Sequence, residues 1–271
     1  MTTYTPEQLR SEIARRAPWY QCITFPEHGM TTTDDPANAM LDAAWDNKTD
    51  EISLAEAARL RPTPKWKFIQ EFLPPMAGLD VLEIGSNCGF FSFEFARAGA
   101  CSVTGLDVAP KWLENAEWAR SVLGIQNVSF HNCDFMRYDG KPHPAAGLLS
   151  QRDVAVPLPN QLFDVVFMST VLDHLFFPLF AIYKMCRISR QWVIIDIPCA
   201  PDLPAEQSLA RLGIADDKSH HGFNFTPQFM LNYISRLGIP PADIQCHRYN
   251  HGRNATYVID VRHMAASLHG A

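Results

Sequence analysis

Beyond residue 79 the chain alternates between two hydrophobic rhythms: short continuous apolar runs, and longer segments in which apolar residues return every three or four positions. A short run reads as a strand buried on both faces, and the 3.6-residue rhythm reads as a helix with one apolar side. The runs at 80–84, 102–107 and 127–130 are therefore predicted strands, separated by helices over 89–98 and 110–123. The same logic gives strands at 163–168 and 192–197 flanking a helix through 180–185, then a helix that Thr226 and Pro227 open and that runs to about Leu237. Residues 242–248 and 255–262 end the series as an antiparallel hairpin. Together these elements predict an α/β fold with a seven-stranded, mostly parallel sheet, helices on both faces and a C-terminal antiparallel hairpin.

Upstream the rhythm changes. Residues 5–17 predict a helix capped by Thr5 with Pro6 in its first position. Residues 18–50 are loop-rich and proline-punctuated yet carry Trp19, Tyr20, Phe25 and Trp45, so they must pack on something. An amphipathic helix over 64–73, with Trp66, Ile69, Phe72 and Leu73 on one face, leads into the first parallel strand. The expected division is an N-terminal extension, 1–62, acting as a lid, and a catalytic domain, 63–271. Within the latter, 138–161 is too rich in proline for a continuous helix and reads as an insertion loop.

The first of these strands runs into a glycine turn, Glu83-Ile84-Gly85-Ser86-Asn87-Cys88-Gly89, and then into a helix. Glycines there permit backbone angles closed to other residues, and the helix start offers amide hydrogens to a ligand. Two further acids stand near the ends of the next two strands: Asp107, able to accept bonds from a ribose diol, and Asp134, able to accept from an adenine amine beside Phe135. Taken singly, each acid equally suits a helix cap or a turn; the three in register suit a cationic adenosine ligand. Cys88 reads as a small buried filler rather than a thiolate.

With these residues in order, residues 65–262 resemble the class I, Rossmann-like S-adenosylmethionine-dependent methyltransferases, whose E/D-x-G-x-x-x-G loop is followed by acids after the second and third strands. The resemblance implies S-adenosylmethionine as cofactor, with Glu83, Gly85 and Gly89 on its methionine side, Asp107 at the ribose, and Asp134 and Phe135 around the adenine. Trp66, Ser86, Asn87, Val108 and Ser169 complete the implied contacts. Asn87 stands where the commonest version of the loop has glycine, and Asn tolerates left-handed angles better than most residues. The string Val171-Leu172-Asp173-His174-Leu175, with Lys65-Trp66-Lys67 and Phe225-Thr226-Pro227, is similar to the subgroup containing the tRNA wobble-uridine carboxymethyltransferase, except that Asp173 replaces a tyrosine.

Chemistry is expected beyond the fourth strand, where ligands of open parallel sheets sit. His174 is the first candidate base there, with a helix-start packing role equally open; His220 and His221 are others, with a solvated loop as the alternative. No acid near that histidine pair gives metal-ligand spacing, so no metal is expected.

A net charge of -6 with a pI near 5.9 gives no global attraction for phosphate, so nucleic acid is an unlikely partner and a small-molecule acceptor, methylated on oxygen or nitrogen, the leading one. A wobble-base modifier and a non-catalytic cofactor-binding module are the alternatives. Seven scattered cysteines, no leader pattern and no long apolar stretch point to a soluble protein of a reducing cytoplasm, compatible with a homodimer and with no membrane partner.

Overall fold

The computed structural model describes residues 4–40, 53–139, 141, 162–200, 202–213 and 222–264. Every strand and helix expected above is present there, with ends shifted by a few residues. The main sheet contains β3 (Asp80–Ile84), β4 (Ser102–Asp107), β5 (Val128–Asn132), β6 (Phe163–Ser169), β7 (Ser189–Pro198), β10 (Ile244–Tyr249) and β11 (Asn254–Asp260), in the order β10-β11-β7-β6-β3-β4-β5. The chain divides into two units, Met1–Gly78 with Ser86–Asn132, and Leu79–Gly85 with Cys133–Ala271.

In the first unit β4 and β5 run parallel, with α4 (Phe90–Arg97) and α5 (Pro110–Leu123) packed on them. Pro110 opens α5 and Gly124, at φ 66, closes it in the left-handed conformation that glycine adopts without strain. The N-terminal extension begins with α1 (Pro6–Arg15), whose capping box joins Thr5 and Gln8 as expected. Its large apolar groups pack on α5: Trp19, Phe25 and Tyr4 each meet the Trp118 ring, at 5.8, 5.6 and 6.2 Å between centroids. The Trp19 indole donates to the Ile13 carbonyl at 2.9 Å, so this fully buried ring leaves no polar atom unsatisfied. Two small features went unread in the sequence, the ribbon β1 (Thr24–Phe25) with β2 (Met30–Thr31) and the helix α2 (Leu54–Leu60). The expected helix over 64–73 is α-helical only as α3 (Thr63–Ile69), then tightens to a 3₁₀ turn, Gln70–Phe72. 

In the second unit β3, β6 and β7 are parallel, and β11 and β10 add antiparallel strands at β7. Residues Val193–Ile197 and all of β11 are buried, so Val193–Ile195 and Tyr257–Ile259 read as continuous apolar runs, with the polar Asp196, Asn254 and Thr256 buried beside them. α6 (Pro178–Ile188) covers β6 and β7, and α7 (Pro227–Arg236) packs on β10. The ends of the parallel strands are tied by charge: Arg190 donates to Asp164 at 2.8 Å and to Asp80 at 3.2 Å, while the Asp80 amide donates to Asp164 at 2.9 Å. Another unforeseen ribbon, β8 (Ala210–Gly213) with β9 (Gly222–Phe225), precedes α7. Trp45, most of the insertion loop, and His220 and His221 lie outside the described residues.

Candidate active site

The glycine turn is built by hydrogen bonds to the strand beside it. In the first unit the Ser86 amide donates to the Leu106 carbonyl at 2.9 Å, and Gly89 donates back to Ser86 at 2.8 Å. Asn87 takes φ 50, the left-handed angle its residue type was expected to tolerate, and its amide donates to Asp107 Oδ2 at 2.8 Å. The other oxygen of Asp107 accepts the Ala109 amide, also at 2.8 Å. Burial pushes the Asp107 pKa up, opposed by these amides and that of Val108.

This geometry suits a ribose. A carboxylate has about four acceptor positions, so those not used by backbone amides remain for a diol. Val108, beside it, is an apolar side chain left 56% exposed, a platform for a flat ring. Gly89, at φ 88, is a cradle that no other residue fills: an added Cβ would lie 2.6 Å from the Phe130 ring. Cys88 is fully buried, and desolvation pushes its thiol up to about 12, the inert filler expected.

The first amide of α4 is not open to a ligand. Phe90 N–H donates at 3.0 Å to the side-chain oxygen of Gln21, a buried residue of the extension. Next to it, Tyr20 lies 5.9 Å from Trp112, and Arg61 stacks 3.8 Å over Tyr20 and donates to its hydroxyl. Trp66, expected at the cofactor, is buried edge-on against Phe91 and Phe95 of α4, 6.1 and 5.3 Å away.

In the second unit Glu83 is buried within β3, and Gly85 follows at φ 76. A Cβ on Gly85 would stand 2.3 Å from Val171 Cγ2, so only glycine lets the segment after β6 approach. Asp134 accepts the Met136 amide at 2.9 Å and so caps the turn Phe135–Arg137; it and Phe135 are both buried. Ser169 donates to Asp196 at 3.0 Å, and Asp196, fully buried, also accepts from Tyr249 at 2.8 Å and Thr256 at 2.9 Å. Thr170 then adopts φ 53, an outlier for a β-branched residue, held by the hydrogen bond that its N–H donates to the Asp196 carbonyl at 2.8 Å. Leu172–His174 forms a 3₁₀ turn, and it brings His174 Nε2 within 3.6 Å of Asp173. The imidazole is 43% exposed, so it is open to a reactant. Neither Gln21 nor Asp196 was legible as a site residue. The methyltransferase domain's sequence profile matches residues 76–211, half of the chain.

The chain belongs to this methyltransferase-domain family. Its fold is that of the class I, S-adenosylmethionine-dependent methyltransferases. The N-terminal domain of EvdMO1, solved with S-adenosylhomocysteine bound, superposes with a TM-score of 0.60 at 15% identity, covering 95% of this chain and 97% of that one. The same domain in the presence of S-adenosylhomocysteine and D-fucose gives 0.57 at 14% identity over 95% and 97%. An S-adenosylmethionine-dependent methyltransferase from Mesorhizobium loti gives 0.52 at 15% identity, covering 72% of this chain and 97% of that one. Comparison with curated protein sequences gives no match. Among the described residues of this methyltransferase, no helix is long and apolar enough to cross a membrane.

Proposed function

We propose that the protein transfers a methyl group from S-adenosylmethionine to an oxygen or nitrogen of a small-molecule acceptor, with a sugar-like hydroxyl compound the first choice, in specialised metabolism within a reducing cytoplasm. The observation that carries the reading is the Asn87–Asp107–Ala109 arrangement, a carboxylate fixed by two backbone amides beside the exposed Val108. S-adenosylmethionine supplies an electrophilic methyl with a sulfonium leaving group. Asp107 orients the ribose, Asp134 and Phe135 flank the adenine, and Glu83, Gly85 and Gly89 serve the methionine end. Transfer of this kind gains most from alignment of nucleophile and methyl group. For a hydroxyl acceptor, His174 takes the proton, with Asp173 stabilising the imidazolium 3.6 Å away; His220 and His221 are further candidates.

The choice of acceptor is supported by the likeness to EvdMO1. That likeness extends over 95% of the chain and so includes the extension, whereas the Mesorhizobium loti enzyme covers 72%. We read the extension as the lid of the site, latched by Gln21. All seven cysteines are free, which supports a reducing compartment. A second reading, a modifier of a tRNA wobble base, rests on the Val171–Leu175 string; a net charge of -6 weighs against it.

The test is transfer of radiolabelled methyl from S-adenosylmethionine to a panel of D-fucose and other deoxyhexoses, small amines and bulk tRNA. Label is expected in a small molecule. For a hydroxyl acceptor, His174→Ala is expected to slow turnover by about 100-fold or more. Label in tRNA alone, with transfer falling steeply as salt rises, would replace this reading with the second.

A further inference from the structure

α6 carries a residue at odds with its surroundings. Lys184 is fully buried on a helix whose other covered positions include Ala181, Ile182, Met185 and Ile188. Such a site expels an ammonium unless its donors are satisfied. Here the backbone takes two of its three N–H donors: Nζ donates to the Phe135 carbonyl at 2.7 Å and the Met136 carbonyl at 3.1 Å, and lies 4.9 Å from the centre of the Phe135 ring. The turn after β5 is therefore fixed twice, internally by the Asp134 cap and externally by a charge from α6.

We propose that Lys184 is a positioning residue for cofactor binding: by tying the Phe135 and Met136 carbonyls to α6, it holds the turn from which Asp134 and Phe135 meet the adenine. The inference rests on the adenine role proposed above for those two residues. The charged and titratable groups acting on the ammonium are Cys133, Asp134 and Asp139, all from the segment after β5. Burial outweighs their attraction and lowers the Lys184 pKa to about 8. A neutral amine still donates to carbonyls, but more weakly than a charged one. Adenine affinity should therefore fall as the pH rises through about 8. Stability should move the other way. The unfolded chain holds this proton up to about 10.4, so between those values it binds more protons at this residue than the folded chain, and the residue's contribution to stability grows with pH.

The probe for the pH arm is 5′-methylthioadenosine, which carries adenine and ribose but no group that titrates near pH 8. Titrations of the full chain at about pH 7 and about pH 9.5 are expected to show several-fold weaker binding at the higher pH, a loss of about half or more of which disappears in Lys184→Met. The same variant is expected to bind S-adenosylhomocysteine about tenfold more weakly at pH 7, and to lose melting temperature relative to wild type as the pH rises. Wild-type binding that does not change between the two pH values would overturn the proposal without any variant, as would a folded Lys184→Met protein with wild-type affinity and profile. Asp134→Asn separates the two layers. If it weakens binding while Lys184→Met does not, the positioning role alone fails; if neither weakens it, the adenine assignment fails as well.

Discussion

At the scale of the residue, the cofactor assignment comes down to Asp107. Its two oxygens hold the Asn87 and Ala109 amides, so its charge fixes the glycine loop before any ligand arrives. Asp107→Asn keeps the shape but places an amide group where an acceptor is needed, and loses charge-assisted bonds each worth about 1.5–3 kcal/mol. It is expected to weaken S-adenosylhomocysteine binding by about 10- to 100-fold in calorimetry; an unchanged affinity would remove Asp107 from the site. Residues of this kind were legible because the backbone they demand is written in the local string: Asn87 and Gly89 both announce left-handed angles, although the ring that makes glycine necessary at 89, Phe130, lies far along the chain. Gln21 and Lys184 were not, since their partners lie 69 and 49 residues away and a lone amide or amine in a sequence carries no sign of what it will meet. For His220 and His221 the structure offers no placement, because both fall outside the described residues.

At the scale of the element, the strands and helices were legible wherever burial imposes one rhythm. The runs Val193–Ile195 in β7 and Tyr257–Ile259 in β11 are continuously apolar because both are buried, and α5 is bracketed by Pro110 and Gly124. The two-residue strands β1 and β2 are too short to show a period, and α2 spans only seven residues, with Arg61-Pro62 alone separating it from α3. The helix start of α4 departs from the sequence expectation in an instructive way. An amide expected to face a ligand is instead capped by Gln21, because the extension folds back onto α5 through Trp19, Phe25 and Trp118 and brings that side chain along. Removing it by Gln21→Ala leaves a buried amide unsatisfied. The expected cost is about 1–3 kcal/mol of stability, measured by denaturant unfolding. If the extension is also the lid, the same variant binds S-adenosylhomocysteine more weakly; wild-type affinity with reduced stability would leave Gln21 as a cap and nothing more.

At the scale of the whole molecule, family membership rests on a profile covering residues 76–211, and the fold likeness reaches beyond it in EvdMO1 to include the N-terminal extension. Composition adds what the fold cannot: with 29 acidic against 23 basic residues, the surface offers a polyanion no general attraction. The central claim is that the glycine loop and its three acids hold S-adenosylmethionine. Calorimetric titration of the purified chain with S-adenosylmethionine and S-adenosylhomocysteine, with NADH as a control, tests it most directly. Micromolar binding of both, corresponding to about -8 kcal/mol, with no heat from NADH is the expected result; absence of binding by either, or binding of NADH in their place, would contradict it.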